Sequence, residues 1–133
     1  MILRAFLVED QPDIRDTVID AMENIAPLKF IGFADGETAA RKWLKANQSE
    51  WQLAIVDLRL KEGTGFGVLK SCQARKPEQK VVVLTGHEQQ QIAERCLELG
   101  ADMVFNKSSE LDRLVEYCKM HAEDLDAGTL SLH

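Results

Sequence analysis

Short apolar runs alternate along the entire chain with segments whose apolar residues recur at helical spacing. The runs are rich in Val, Ile, Leu, Phe and Ala, which is typical of strands buried on both faces of a parallel sheet. The segments between them are typical of helices that bury one stripe. Five such βα units predict a three-layer α/β sandwich whose parallel strands have the order 2-1-3-4-5. The predicted strands span residues 2–8, 29–34, 53–56, 80–84 and 103–106, and the predicted helices span 12–25, 37–46, 65–75 and 89–99, with a last helix opening at Ser108 or Ser109.

Local chemistry sets the ends of these elements in the predicted flavodoxin-like (βα)5 fold. Pro12 suits a first helical turn, and Asp35 is placed to cap the second helix. The helical pattern is lost after His121, so we predict one domain over residues 1–122 and a C-terminal tail over residues 123–133. The predicted apolar stripe of the first helix consists of Ile14, Val18, Met22 and Ile25.

Composition argues against several functional classes. The 133 residues carry a formal net charge of −6, with acidic residues spread along the chain, whereas a nucleic-acid surface needs clustered Lys and Arg. No stretch approaches the roughly 20 apolar residues that span a bilayer. Cys72, Cys96 and Cys118 are widely separated and odd in number, which favours core thiols in a reducing compartment over a disulfide framework or a zinc site. We therefore expect a cytoplasmic protein that binds neither nucleic acid nor membrane directly.

Four of the apolar runs end in residues suited to a shared phosphate and metal site. Glu9 and Asp10 follow the first run, Asp57 the third, Thr85 the fourth and Lys107 the fifth. Ligands of parallel sheets gather beyond the carboxyl ends of the strands. Each of these residues alone is an ordinary loop residue. Together they predict that carboxylates, a hydroxyl and an ammonium group meet at one edge of the sheet.

The chemistry of this set points to phosphoryl transfer with Mg²⁺. Three crowded carboxylates repel one another unless a cation neutralises them, and Mg²⁺ prefers oxygen ligands from one or two carboxylates plus a phosphate. A carboxylate can also attack a phosphoryl group and form an aspartyl-phosphate. A Lys ammonium and a Thr hydroxyl can stabilise the charge that develops on the transferring group. Asp57 is the best nucleophile, since it alone ends the central strand and faces the acidic pair.

The motifs that contain these residues resemble the receiver domain of two-component response regulators over about residues 2–122. They are LVEDQPDIR, IVDLRLKEGTGFGVL, VVVLTGH and LGADMVFNKS. The resemblance implies that Asp57 accepts a phosphoryl group from a histidine kinase or a phosphotransfer protein. It also implies that Asp10 holds Mg²⁺ directly, that Glu9 does so through water, and that the backbone carbonyl of Arg59 completes the protein's share of the metal shell.

The same resemblance assigns roles on the phosphate side of the site. Thr85 corresponds to the switch hydroxyl that moves toward the phosphate, and the small Gly86 beside it leaves access. Lys107 corresponds to the lysine that pairs with the phosphate. Arg59 and His87 occupy positions that border the water attacking the phospho-aspartate, so we predict that they tune the lifetime of the phosphate. Two exposed loop side chains without such a role are an equally good interpretation at this stage.

Two positions depart from the family pattern. Ser108 stands where the family usually has a proline joined by a cis bond, and a cis bond before a non-proline residue costs about 2.5 to 4 kcal/mol. We therefore predict a trans bond between Lys107 and Ser108. Val104 occupies the position of the switch aromatic, and the adjacent Phe105 points to the opposite face of the strand, where it is expected to pack in the core. A coupled Thr/aromatic rearrangement in its usual form is not expected.

Two functional hypotheses from different classes remain at this point. The first is a stand-alone switch that signals by contact with an unknown output protein, by passing the phosphoryl group onward, or by forming a homodimer through the face of helix 4, strand 5 and helix 5. Gln89, Gln90, Gln91, Arg95 and Val104 are candidates for that face. The second is a receiver-like binding module that works without phosphorylation. Whether residue 133 is a natural terminus or the chain is a trimmed fragment stays open.

An enzyme is the least favoured class. An aspartate-nucleophile phosphatase would need a second catalytic Asp at the position of Arg59. A flavin protein of similar fold would need a Gly- and hydroxyl-rich loop after the first strand, where this chain has EDQPD, and that acid would repel a flavin phosphate. We expect a phosphoacceptor whose only chemistry besides accepting the group is autodephosphorylation.

Overall fold

The computed structural model describes residues 1–86 and 90–128, in which five strands alternate with five helices. The strands form one parallel sheet of order β2-β1-β3-β4-β5, which confirms the predicted flavodoxin-like α/β fold. The elements are β1 (Leu3–Val8), α1 (Pro12–Ile25), β2 (Leu28–Ala34), α2 (Glu37–Ala46), β3 (Leu53–Val56), α3 (Gly65–Ser71), β4 (Lys80–Thr85), α4 (Gln90–Glu98), β5 (Met103–Asn106) and α5 (Leu111–Asp126).

The register of the sheet aligns the carboxyl ends of its central strands. Val8 of β1 pairs with Val56 of β3 and with Ala34 of β2, and Val56 pairs with Val83 of β4. All four residues of β3 and all six of β4 are buried, as expected for strands covered on both faces. Residues that follow β1 and β3 therefore emerge side by side at the same edge.

Each face of the sheet supports its own apolar cluster. One contains Phe6, whose ring stacks on the indole of Trp43 with ring centroids 4.0 Å apart. The other contains Leu114 and Cys118 of α5 against Phe105 of β5. The three cysteines are buried, as predicted, and burial raises the pKa of the Cys72 thiol to about 11. None of the helices in the described residues is long and apolar enough to cross a membrane.

The predicted bounds of α1 and α2 are confirmed, but one cap residue, the start of the last helix and the burial of one residue were predicted wrongly. The N-cap of α2 is Gly36 rather than Asp35, so the N-cap residue itself offers no side chain for a cap hydrogen bond. The last helix begins at Leu111 rather than at a serine, because both serines bond instead to the side chain of Asn106. Ile25, predicted to belong to the buried stripe of α1, is exposed at the end of the helix.

The C-terminal helix is longer than its sequence pattern predicted. It continues to Asp126, so a frayed end directly after His121 is wrong for residues 122–126. Ala122 is buried and Leu125 packs against the same apolar cluster. These two residues extend the stripe at helical spacing, and the charged residues between them hid this continuation in the sequence.

Helix α3 ends at Ser71, earlier than predicted, and Arg75 holds the segment that follows. Its guanidinium donates through Nη1 to the carbonyl of Cys72 at 2.9 Å and through Nε to that of Gln79 at 2.9 Å. Nη2 reaches both the carbonyl of Gly100 at 2.6 Å and Oδ2 of Asp102 at 2.9 Å. One arginine thereby joins the end of α3 to the turn that precedes β5.

Candidate functional site

The backbone ladder of the sheet continues for one residue into the acidic site. The N–H of Glu9 donates to the carbonyl of Ala34 at 3.0 Å, and the N–H of Asp57 donates to that of Val8 at 3.0 Å. Both acidic residues are buried, with 2% of Glu9 and 7% of Asp57 exposed. The sheet itself therefore fixes two carboxylates in a poorly hydrated place.

Lys107 brings a positive charge to these two carboxylates. Its Nζ lies 2.6 Å from Oε1 of Glu9 and 2.8 Å from Oδ2 of Asp57. Its backbone N–H donates to the carbonyl of Thr85 at 2.9 Å, so the end of β4 supports the residue after β5. One ammonium group thus joins Lys107 to two residues that lie 50 and 98 positions away from it in the sequence.

Burial and charge act in opposite directions on this cluster. Burial raises the pKa of Glu9, and the negative charge of Asp57 adds to that effect while Lys107 opposes it. Burial also disfavours the charged form of Lys107, but its hydrogen bonds and ion pairs with Asp57 and Glu9 outweigh burial and raise the pKa of Lys107. The ammonium therefore stays charged, and it compensates part of the repulsion between the acids.

Asp10 completes a group of three carboxylates that suits a divalent cation. Ligand oxygens of Glu9, Asp10 and Asp57 lie within 4.8 Å of one another. Asp10 is only half-buried, and its Oδ2 accepts the N–H of Lys61 at 2.8 Å. Mg²⁺ takes oxygen ligands from few carboxylates and keeps several waters. The donor set and its partly open side fit such an ion.

The loop after β3 is attached to Asp57 and then to helix α2. The N–H of Arg59 lies 3.2 Å from Oδ1 of Asp57, and the Arg59 side chain is exposed. Glu62 accepts the N–H and the hydroxyl of Thr38 at 2.9 and 3.0 Å. Glu62 belongs to none of the predicted site residues.

A second glutamate makes this attachment reciprocal. Oε1 of Glu37 accepts the N–H of Thr64 at 2.9 Å, and its own N–H donates to the carbonyl of Glu62 at 3.0 Å. A Cβ at Gly67 would overlap the Glu37 carboxylate. Two carboxylates thus tie the N-terminus of α2 to the loop that carries Arg59.

Thr85, Gly86 and His87 follow one another at the end of β4. Thr85 is buried and aligned with Asn106 of β5. Gly86 is exposed, and no atom of the described residues beyond its two chain neighbours lies within 4 Å of where its Cβ would be. His87 lies outside the described residues, and its predicted modulating role stays a prediction.

The two departures from the family pattern behave as expected. No peptide bond in residues 1–86 and 90–128 is cis, which confirms the trans bond between Lys107 and Ser108. Phe105 is buried in the core, with its ring 6.0 Å from that of Tyr117 in an edge-on arrangement. The family's aromatic position is taken here by the half-buried side chain of Val104.

Comparison with known proteins agrees with this geometry. A family model described as the response regulator receiver domain matches residues 5–119. The transcriptional regulatory protein CiaR of Streptococcus pneumoniae is 29% identical over 112 residues, which cover 84% of this chain and 48% of CiaR. The photosynthetic apparatus regulatory protein RegA of Rhodovulum sulfidophilum is 37% identical over 57 residues, 43% of this chain and 31% of RegA.

A solved structure shares the fold over nearly the whole chain. The crystal structure of a two-component response regulator of the LuxR family from an Aurantimonas species has a TM-score of 0.79 and 20% identity, covering 99% of this chain and 90% of the other. At that identity the likeness concerns the fold alone. The chain matches less than half the length of the two curated relatives above.

Proposed function

Since this chain belongs to the response regulator receiver domain family, we propose that it is a phosphorylation-dependent signalling switch whose Asp57 accepts a phosphoryl group from a histidine kinase or a phosphotransfer protein. Membership of the family implies signalling of this kind, and receiver domains are generally switches rather than enzymes. The observation that carries the assignment to Asp57 is the contact of Lys107 Nζ with both Glu9 and Asp57, beside a third carboxylate from Asp10.

The side chains of the site suit an in-line transfer to a carboxylate. Oδ1 of Asp57 lies near the N–H of Arg59 and Oδ2 lies against the Lys107 ammonium, so the carboxylate is held in one orientation for attack. Mg²⁺ bound by Glu9, Asp10, Asp57 and the carbonyl of Arg59 would neutralise charge on the transferring oxygens. Lys107 supplies a second positive charge that is already present before the phosphoryl group arrives.

Phosphorylation changes the charge that Lys107 faces. The acyl-phosphate bond removes the negative charge of the Asp57 carboxylate and places a dianionic group next to it. The Lys107 ammonium then pairs with the phosphoryl oxygens instead of the carboxylate. The Thr85 hydroxyl provides a hydrogen-bond donor at the end of the neighbouring strand β4. The backbone bond between Lys107 and Thr85 means that these two residues respond together.

An exposed apolar set supports output by protein contact. Leu97 of α4, Met103 of β5 and Met120 of α5 are among the exposed large apolar side chains. We call these three residues the output face. Met103 and Met120 line one cavity between β5 and α5, and an exposed apolar patch there would favour association, either with an unknown output protein or with a second copy of the chain. Gln90, Gln91, Arg95 and Val104 remain candidates for the same surface, and Gln89 lies outside the described residues.

The location and remaining partners of the chain follow from the same proposal. It works in the cytoplasm, where histidine kinases and phosphotransfer proteins meet their receivers, and it contacts neither DNA nor membrane through this domain. Because the matched relatives are longer than this chain, any effector activity of a whole protein is a further proposal.

Arg59 and His87 are proposed to set how long the phosphate persists. If Ala at both positions leaves the dephosphorylation rate unchanged, that role is refuted.

Mass spectrometry tests the phosphoacceptor directly. The chain is incubated with a small phosphodonor and Mg²⁺, and we expect a mass gain of one phosphoryl group that needs Mg²⁺ and disappears in Asp57→Asn. Asp20→Asn, an exposed acid on α1, is the matched control and should be phosphorylated like the wild type. A gain that persists in Asp57→Asn would refute the assignment. The absence of any gain with every donor and kinase tried would instead favour the phosphorylation-independent module.

A further inference from the structure

One buried amide organises the turn between β5 and α5. Asn106 is 5% exposed, and its Oδ1 lies 2.8 Å from the N–H nitrogen of Ser108 and 3.1 Å from that of Ser109. The hydroxyls of the same serines lie 2.7 and 3.1 Å from this oxygen. Because backbone N–H groups can only donate, they require the oxygen of the amide at this place.

The main chain of Asn106 is held as firmly as its side chain. Its N–H donates to Oε1 of Glu110 at 3.0 Å, and its carbonyl accepts the N–H of Glu110 at 3.0 Å. Glu110 is the N-cap of α5. The start of the last helix is therefore bound to the end of the last strand through Asn106.

Lys107 lies inside this set of contacts. On one side its N–H is bound to the carbonyl of Thr85, and on the other side the next two N–H groups converge on Asn106. Ser108 has no ring to restrict its backbone, so these hydrogen bonds supply the restraint. A lysine side chain has several rotatable bonds, and holding its backbone reduces the freedom of Nζ to leave the two carboxylates.

We infer that Asn106 is a positioning residue for Lys107, whose amide oxygen fixes the Lys107–Ser108–Ser109 backbone so that Nζ stays at Glu9 and Asp57. The extension of this role to the phosphorylated state rests on the proposed function. Within the described residues, Asn106 bonds to Ser108, Ser109 and Glu110, so the role inferred for it acts through the backbone of Lys107 rather than on the reacting atoms.

The ammonium resonance of Lys107 tests this inference without phosphorylation. In ¹⁵N NMR at low temperature and mildly acidic pH, an ion-paired Lys107 ammonium should exchange slowly and be visible, and it is identified by its disappearance in Lys107→Met. We expect Asn106→Ala to lose or shift this resonance, while Asn106→Asp, which keeps the acceptor oxygen, retains it. An unchanged resonance in Asn106→Ala would overturn the inference.

The remaining controls separate positioning from folding. Ser71→Ala removes an exposed hydroxyl elsewhere and should leave the Lys107 resonance unchanged. If Asn106→Ala does not fold, Asn106→Ser replaces it, because its oxygen lies one bond closer to the backbone. Loss of the resonance in this folded variant supports the inference, and retention overturns it.

The phosphorylation rate tests the part that depends on the proposed function. With a small phosphodonor and Mg²⁺, Asn106→Ala should slow phosphorylation several-fold, and the same change in a Lys107→Met background should have little further effect. A loss of equal size in both backgrounds would show a structural role only and overturn the inference. If the wild type takes up no phosphoryl group, the proposed function fails, and the NMR result still decides whether Asn106 positions Lys107.

Discussion

Removal of the Lys107 charge should destabilise the fold strongly, because two buried carboxylates would lose their shared counter-charge. Lys107→Met keeps a long unbranched side chain but no ammonium. Each N···O contact, at 2.6 and 2.8 Å, corresponds to about 6 kcal/mol of Coulomb attraction at an effective dielectric constant of about 20. The variant also avoids the free-energy cost of desolvating the lysine ammonium, and this offsets a large part of the lost Coulomb attraction. Breaking a buried pair from one side typically costs about 3 to 5 kcal/mol.

Proton uptake by the acids sets an independent upper bound on this loss. If the charge of Lys107 is missing, one carboxyl group can be protonated instead, which at pH 7 costs an ordinary glutamate about 3 to 4 kcal/mol. The two estimates agree, so we expect Lys107→Met to lower the free energy of unfolding by about 3 kcal/mol at pH 7. Mg²⁺ should restore part of the loss, since ligand binding to the folded state stabilises it.

Urea unfolding of the wild type and three variants checks this reasoning. Lys119→Met, which breaks an exposed contact with Glu116 at 3.4 Å, is the matched control and should change stability by less than about 1 kcal/mol. Glu9→Gln added to Lys107→Met should recover much of the loss, because it removes one of the unpaired charges. A Lys107→Met protein within about 1 kcal/mol of the wild type, or one that Glu9→Gln does not rescue, would refute the electrostatic account.

Three further changes test packing and protonation away from Lys107, each by urea unfolding. Gly67→Ala should be about 1 kcal/mol more costly in the wild type than in a Glu37→Ala background, because the new methyl group would displace the Glu37 carboxylate from its hydrogen bond with Thr64; equal effects in both backgrounds would contradict the overlap. Burial lowers the pKa of His121 despite its contact with the Gln52 carbonyl, so the unfolded state binds more protons and stability should fall as pH drops below about 6.5. His121→Gln should flatten that decline, and an unchanged slope would exclude His121 as its source. Arg75→Lys keeps the charge but loses the guanidinium fork, and a loss below about 1 kcal/mol would contradict its role in joining α3 to β5.

The strands were predictable because their signal is local and redundant. In β3 and β4 every position is buried, so composition alone identifies them. The meeting of Glu9 with Asp57 was predictable for a related reason, since parallel register brings the ends of β1 and β3 to one edge. Whether Lys107 would reach both acids at once depends on a side-chain rotamer that no sequence pattern encodes.

Helix starts were harder to predict because several capping residues compete within a few positions. Ser108 and Ser109 are both good N-caps, yet Asn106 takes their N–H groups and the helix begins only after Glu110. An Asn followed by two serines is itself a turn signal, since an Asn side chain often bonds to backbone two residues on. Glu37 and Glu62 left no comparable signal, because their partners lie 24 to 27 residues away.

The absence of an aromatic residue at position 104 constrains how a signal leaves the site. Phe105 is buried in the core, and bringing it to the other face would require a one-residue slip of β5 against β4. The pairing of Leu84 with Phe105 and of Thr85 with Asn106 opposes such a slip. Lys107 joins the chemistry to the end of β5 through its contact with Asp57, and its hydrogen bond to the Thr85 carbonyl joins that end to β4. We therefore expect phosphorylation to act on the output face by shifting the ends of β4 and β5 together. Amide hydrogen exchange should then change at both strand ends, and a change confined to β4 would refute this route.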